Sequence, residues 1–179
     1  MNAIEVKMKT PITYYGGKQK MLKIILPMIP EHDIYVEPFF GGGAVFWAKE
    51  PVNVEFVNDK NGEVANFYRV LKNDFDALKK QIDSTLHSEF MHKEARSIYF
   101  APEGHDKIMR AWAVWVLSHQ SFYSILGSTW KCAKTRNIAK QLQRRKEAFS
   151  DDYSCRLERT SIFCRDALDI IKKADHEDA

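Results

Sequence analysis

No stretch of this sequence is long and apolar enough to span a bilayer, and its opening residues, Met1-Asn2-Ala3-Ile4-Glu5-Val6-Lys7, lack the apolar run of a signal peptide. A membrane partner is therefore not expected, and a cytoplasmic location is. Cysteine is scarce: Cys132, Cys155 and Cys164 are odd in number and form no Cys-x-x-Cys pair, which points to reduced thiols rather than disulfides or structural zinc. The histidines, at positions 32, 87, 92, 105, 119 and 176, have no metal-ligand spacing, so no metal site is predicted. Proline occurs at 11, 27, 30, 38, 51 and 102 only, with no Pro-Pro pair. No Gly-Lys-Ser/Thr closes the glycine-rich turn described below, which excludes a P-loop, and Phe46 stands where a dinucleotide fingerprint has its third glycine.

What is present fits one domain with a core: 20.8 kDa, with 45% hydrophobic residues. The apolar run Ile34-Tyr35-Val36 leads into Glu37-Pro38-Phe39-Phe40-Gly41-Gly42-Gly43, and a helix is expected to start near Gly43. Glycines there let the backbone approach a bound molecule, and a helix start would aim unpaired N–H groups at it. The next strand, Val54-Glu55-Phe56-Val57-Asn58, ends in Asp59, 22 positions after Glu37. An acid at that point of a βαβ unit is where ribose hydroxyls are held. The glycines alone fit an ordinary strand-to-helix turn equally well; with Asp59 they favour a nucleoside ligand.

Upstream, Tyr14-Tyr15-Gly16-Gly17-Lys18 precedes Met21, Leu22, Ile24, Ile25, Leu26 and Met28, an apolar spacing that predicts a helix opening at about Lys18. Aromatics followed by a cation suit a flat charged ligand. In isolation they read as packing residues and a solvated lysine.

The three segments, Tyr14-Tyr15-Gly16-Gly17-Lys18, Glu37-Pro38-Phe39-Phe40-Gly41-Gly42-Gly43 and Asn58-Asp59-Lys60-Asn61, in that order, resemble those of the Dam-type DNA adenine methyltransferases. The resemblance implies S-adenosylmethionine as cofactor and double-stranded DNA as partner. It gives cofactor-binding roles to Tyr14, Tyr15, Gly17, Lys18, Glu37, Pro38, Phe39, Gly41, Gly43 and Asp59, and places Asp166, after a third strand Ser161 to Cys164, near the adenine ring. The implied fold is α/β: an incomplete Rossmann-like methyltransferase sheet with a helical target-recognition insertion. Residues 1–72 are expected to be the cofactor-binding part, 73–157 the insertion and 158–179 the return to the sheet.

Members of that family continue with Asp-Pro-Pro-Tyr, which receives the target amino group and stacks on the flipped base. This sequence contains no such segment, so no catalytic residue is assigned and the chain is expected to be a truncated form, inactive alone. The adenine amine is a poor nucleophile, and its transfer chemistry rests on positioning and electrostatics that the missing residues supply. A sheet so shortened would leave one edge to be covered by a second copy, a partner chain or a rearranged terminus.

Between the second and third strands the chain reads as mostly helical, with apolar periodicity over Gly62 to Leu71, Phe75 to Leu86 and Asp106 to Ser118. Trp112 and Trp115 share a stripe with Ile108 and Val116 and are assigned to packing. From Lys131 to Lys146 seven basic residues and no acidic ones occur, in a chain whose formal charge is only +3. Lys131, Lys134, Arg136, Asn137, Lys140 and Arg144 are the candidate DNA contacts, suited to a phosphate backbone, while a solvated basic helix face is the alternative. Arg136 and Asn137 carry the donor sets that read guanine and adenine edges, and serve phosphate equally. A catalytically dead DNA-binding module derived from such an enzyme is the second functional reading. An unrelated nucleotide-binding enzyme is the third, and the combination of Glu37-Pro38-Phe39 with Gly16-Gly17-Lys18 weighs against it.

Overall fold

The structure, a computed structural model, describes residues 8–175; the opening residues read for a signal peptide and His176 lie outside them. Strands β1 (Ile34–Glu37), β2 (Val54–Asn58) and β3 (Thr160–Phe163) form a parallel sheet in the order β1-β2-β3, each within a residue of the strand expected from sequence. Glu37 lies opposite Val57, and Asn58 opposite Phe163, so the carboxyl ends of all three strands are level on one side. That is the side on which open parallel sheets place their ligands.

Before β1, the single helix predicted from Lys18 is broken into pieces: a 3-10 turn over Lys18–Met21, α1 (Leu22–Ile25) and a second 3-10 turn over Leu26–Met28. Pro27 sits at the start of that second turn. It has no N–H to give to a carbonyl four residues back, so a regular helix cannot run through it. Between β1 and β2, α2 (Ala44–Ala48) is short and wholly buried.

The crossover from β2 to β3 carries α3 (Gly62–Asn73), α4 (Phe75–Ser84), α5 (Glu89–Phe100), α6 (Lys107–Gln120), α7 (Ile138–Glu147) and α8 (Asp152–Leu157), and α9 (Ala167–Ala174) follows β3. Short polar residues at the helix starts accept backbone N–H groups that have no partner within the helix. Asn61 caps α3, Ser88 caps α5, Asp106 caps α6, Asn137 caps α7 and Asp166 caps α9. The helix expected to run to Leu86 stops at Ser84, because Thr85 turns to extended backbone (φ −72°, ψ 131°). In α6 every residue from Ala111 to Gln120 is buried, the pattern of a helix at the centre of its bundle, and α3, α4 and α5 pack around it. Trp112 and Trp115 are packing residues there, with Trp112 Nε1 donating to Thr85 Oγ1 at 2.8 Å. One apolar core runs from Phe40 and Val57 at the sheet through Phe67 and Leu71 to Leu78, Trp115 and Phe149 in the helices.

Among the described residues β1 pairs with β2 alone. Its outer edge opens on a groove of about 370 Å³ between Ile29-Pro30 and the Ile171 and Ala174 face of α9, the place where a further strand would add. Among the described residues no helix is long and apolar enough to cross a membrane, and no group of His, Cys, Asp or Glu side chains is positioned to hold a metal ion.

Behind the sheet, Glu55 on β2 is almost fully buried and holds two cations: Arg156 of α8 in a two-pronged contact, with Nη2 to Oε1 at 2.9 Å, and Lys49 Nζ at 2.9 Å. Arg156 also stacks over the Phe46 ring, 3.7 Å from its centre, which joins α8, β2 and α2. Burial alone would raise the Glu55 carboxyl, but the hydrogen bonds from Arg156 and Lys49 outweigh it and hold the group below its usual value. A depressed carboxylate stabilises the fold above its unfolded pKa, and that contribution is lost as pH falls through the lower folded value. Glu55→Ala strands two buried cations and is expected to cost about 3–5 kcal/mol at neutral pH. Urea unfolding measured from neutral to acid pH should show that loss, together with a flatter acid limb than in the unsubstituted chain.

Candidate functional site

At the carboxyl ends of β1 and β2 lies a cavity of about 390 Å³, within the range of small-molecule sites. Its wall consists of Tyr14-Tyr15-Gly16-Gly17-Lys18, Phe39-Phe40-Gly41-Gly42-Gly43-Ala44 and Asp59-Lys60. The three segments singled out in the sequence therefore converge on one space.

The turn after β1 is built on positive-φ glycines. Gly43 has φ +64°, and a Cβ added there would lie 2.6 Å from Phe40 Cζ and 2.8 Å from Trp47 Nε1, so no side chain fits. Gly41, at φ +49°, would put a Cβ 3.0 Å from Tyr14. The amide of Gly43 closes the turn on the Phe40 carbonyl at 2.7 Å, and the Phe40 amide is held by the Asn58 carbonyl at 2.9 Å. Gly41 is clamped from both sides: its amide donates to Asp59 Oδ2 at 2.7 Å, and its carbonyl accepts from the buried Tyr68 hydroxyl at 2.8 Å.

Asp59 Oδ1 accepts the Asn61 amide at 2.9 Å, so each oxygen of this carboxylate has one backbone partner. An ionised carboxylate has about four acceptor positions, which leaves room for two further donors. Tyr14 is half-buried beside Asp59; burial first, then the charge of Asp59, pushes its phenol up to about 12, so it stays protonated at neutral pH. Tyr15 and Phe39 are 64% and 72% exposed and present flat apolar faces at the rim.

Of the other sequence-assigned cofactor residues, Glu37 is buried beneath the cavity and does not line it. Its Oε1 takes Lys18 Nζ at 3.0 Å and its Oε2 takes the Tyr35 hydroxyl at 2.9 Å. Burial raises the Glu37 carboxyl, and Lys18 and Tyr35 work against that rise. Glu37 thus positions Lys18, which does line the wall. Pro38 faces the groove on the opposite side of β1, although its carbonyl takes part in the clamp described next. Asp166 is exposed and off the cavity wall: its Oδ1 caps α9 through the Leu168 amide, and its Oδ2 takes Lys60 Nζ at 3.1 Å, at the rim.

The residue that sequence reading missed is Asn58, which it had treated only as a neighbour of Asp59. Fully buried, its Nδ2 donates to the Pro38 carbonyl at 3.0 Å and the Arg165 carbonyl at 3.1 Å, while its Oδ1 accepts the Arg165 amide at 2.9 Å. One amide fastens the ends of all three strands. An Asn closing a strand directly after the apolar pair Phe56-Val57 was the available signal, because a buried amide requires partners on both its ends.

The basic segment divides in the structure. Lys134, Arg136, Lys140 and Arg144 are exposed, with Lys140 and Arg144 one turn apart on α7. Asn137 uses its Oδ1 to cap α7 through the Lys140 amide at 2.8 Å. Lys131 is half-buried, and Lys146 reaches the Thr85 carbonyl at 2.9 Å. Before this segment, Ser121 and Trp130 form an antiparallel bridge around a tight turn in which Tyr123 (φ 54°) and Ser124 (φ 57°) take left-handed backbone.

A family model described as D12 class N6 adenine-specific DNA methyltransferase matches residues 14–179. Similar curated proteins include the type II methyltransferase M1.LlaDCHI of Lactococcus lactis subsp. cremoris, 39% identical over 64 residues, 35% of this chain and 22% of that protein. The DNA N-6-adenine-methyltransferase of Escherichia phage P1 is 38% identical over 63 residues, 35% of this chain and 8% of that protein. The type II methyltransferase M.MjaIII of Methanocaldococcus jannaschii is 34% identical over 95 residues, 48% of this chain and 32% of that protein. The matched stretches thus span less than a third of the length of these relatives.

Asn58→Asp keeps the shape of the clamp but turns its two donor positions into acceptors facing carbonyls. With about 1–3 kcal/mol for each buried group left unpaired, equilibrium unfolding is expected to show a loss of about 2–6 kcal/mol. A loss under half a kcal/mol would mean that the strand ends do not depend on this amide.

Proposed function

The chain belongs to the D12 class N6 adenine-specific DNA methyltransferases, and on that premise we propose that it is the cofactor-binding and DNA-recognising part of an enzyme that methylates the exocyclic amino group of adenine in duplex DNA. The observation that carries this reading is the Asp59–Gly41 hydrogen bond, which joins the acid closing β2 to the glycine turn after β1 across one wall of the cavity.

The residues fit S-adenosylmethionine. Gly41 and Gly43 put bare backbone on the cavity wall, Asp59 keeps acceptor capacity for ribose hydroxyls, and Tyr14, Tyr15 and Phe39 offer ring faces. When bound, that molecule supplies an electrophilic methyl group on a sulfonium. Lys18, steadied by Glu37, supplies a cation for the carboxylate end, and Asp166, tied to Lys60 at the rim, is assigned to the adenine end. Tyr68 holds the Gly41 carbonyl, and the Tyr14 ring leaves no room for a side chain at Gly41. Lys134, Arg136, Lys140 and Arg144 are assigned to the phosphate backbone of DNA, and the free amide nitrogen of Asn137 to the same surface.

Asp-Pro-Pro-Tyr, the segment that receives the target amine in the family the sequence resembles, does not occur in these 179 residues. The polypeptide by itself is therefore assigned binding without methyl transfer. The same absence favours a second reading, a DNA-binding module that has lost catalysis and with it the use of the cofactor.

Calorimetry separates the two. The first reading expects saturable S-adenosylmethionine binding that weakens about 10- to 100-fold in Asp59→Ala, the equivalent of 1.5–3 kcal/mol for hydrogen bonds to a charged group, with the far-ultraviolet circular dichroism unchanged. No heat with the unsubstituted chain favours the second. Incubation of the 179-residue chain with methyl-labelled cofactor and duplex DNA is expected to leave the DNA unlabelled, and label in adenine would refute the assignment of binding alone.

A further inference from the structure

Beside the cofactor cavity, on the far side of Thr13, lies a small polar cavity of about 150 Å³ lined by Thr13, Ser118, His119, Ser124, Lys131, Ile138, Gln141, Leu142 and Arg145. Two cations line it, Lys131 and Arg145, and no acidic residue does. Among the described residues no ion pair or side-chain hydrogen bond within the protein engages the half-buried Lys131 ammonium, or the exposed Arg145 guanidinium and Gln141 amide at the mouth, whereas the buried or half-buried Lys49, Arg156 and Lys18 have partners: Lys49 and Arg156 hold Glu55, and Lys18 holds Glu37.

The local geometry explains how two like charges come to face each other. Ile138 and Leu142 bury one side of α7, which turns Gln141 and Arg145, one helical turn apart, along the cavity mouth. Lys131 is fixed from the other side by its backbone: its amide donates to the Gln120 carbonyl at 2.7 Å, and its carbonyl meets His87 Nε2 at 3.0 Å. These contacts set where the Lys131 side chain leaves the backbone, at the wall that it shares with Arg145. Burial, and then the charge of Arg145, lowers the Lys131 pKa.

The floor is neutral. His119 is buried, with Nε2 against the Pro11 carbonyl at 3.2 Å and Nδ1 against Thr13 Oγ1 at 3.4 Å, and burial followed by the nearby Arg145 lowers its pKa to about 3. An uncharged imidazole with one N–H directed to Pro11 accepts the Thr13 hydroxyl at its other nitrogen. Ser118 Oγ donates to the Trp115 carbonyl. The groups left to meet a ligand are the Lys131 ammonium, the Arg145 guanidinium, the Gln141 amide and the Ser124 hydroxyl: a donor-rich set around a space that holds a few heavy atoms.

We propose that this cavity is an oxyanion seat that takes one tetrahedral phosphate, with Lys131 and Arg145 as its two charge partners and Gln141 and Ser124 as neutral donors. The guanidinium is suited to two oxygens at once and the ammonium to a third. Two sources offer that chemistry, a phosphodiester of a duplex backbone and free inorganic phosphate. The seat is separate from the exposed cations on the outer face of α7, and Arg145 was absent from the sequence-based contact set. Because Thr13 joins its floor to Tyr14, an anion held here is next to the segment that lines the cofactor cavity.

Nuclear magnetic resonance titration of the full chain with inorganic phosphate, at constant ionic strength held with chloride, reads the seat without cofactor or DNA. Its failure is therefore distinguishable from failure of the proposed function. Saturable shifts are expected at the Lys131 Nζ, Arg145 Nε and Gln141 side-chain amide signals, and the apparent affinity should fall at least tenfold in Arg145→Gln and in Lys131→Met. Arg145 is exposed, so its variant tests the seat even where Lys131→Met perturbs the fold. In a second arm, duplex binding is measured against salt. A log-log slope reduced by about 0.9 in Arg145→Gln identifies a backbone phosphate as occupant, and an unchanged slope beside saturable phosphate binding identifies the free ion. The proposal is overturned if the unsubstituted chain shows no saturable phosphate shift and the duplex slope is indifferent to Arg145→Gln, or if both variants titrate as the unsubstituted chain does.

Discussion

Three strand ends meet at one side-chain amide. Asn58 satisfies the Pro38 carbonyl and both backbone groups of Arg165, and in doing so fixes where the chain leaves β1, β2 and β3. The cavity inherits its shape from that junction. The turn after β1 starts from a Phe40 amide held by the Asn58 carbonyl, and Asp59, the next residue, reaches across to the Gly41 amide. Residues adjacent in a strand point to opposite sides, so Asn58 can close the sheet inward while Asp59 faces the cavity. Two adjacent polar residues at the end of β2 thus tie the strand ends together and fix one wall of the cavity.

Charge is distributed in layers around this junction. Buried carboxylates each have cations of their own: Glu55 has Arg156 and Lys49 behind the sheet, and Glu37 has Lys18 under the cavity. Asp59, on the cavity wall, accepts backbone amides instead. The surplus of positive charge lies on α7 and the segment before it. A formal charge of +3 for the whole chain conceals that separation.

The strands, the glycine turn, Asp59 and the apolar character of the crossover were legible in the sequence because each rests on local spacing: period two, period three to four, or Gly and Asp at fixed offsets from a strand. What was not legible depends on contacts distant in sequence. Nothing local marks Asn58 as a partner of Arg165, 107 positions away, or Arg145 as a neighbour of Lys131 across a loop. Glu37 reads as a ligand contact from its place at a strand end, but its side chain falls between Lys18 and Tyr35, below the wall. Asp166 is taken up by its own helix cap and by Lys60. The broken helix after Lys18 is a different case. Pro27 was in plain view, and apolar spacing outweighed it in the reading although a missing N–H outweighs spacing in the fold.

The position of β3 sets the order in which this architecture can close. β1 and β2 lie within 25 residues of each other, whereas β3 joins them only after a crossover of about a hundred residues has been brought back to the sheet. Contacts of such long sequence separation carry a high loop-closure entropy and tend to make folding slow. Until Arg165 arrives, the Asn58 amide has one of its three hydrogen bonds and the Asp59 backbone N–H lacks the Phe163 carbonyl. On a ribosome, the residues that shape the cavity emerge early, yet the stitch in its frame that Arg165 supplies comes about a hundred residues later, so the cavity takes its final shape only once β3 has joined β1 and β2.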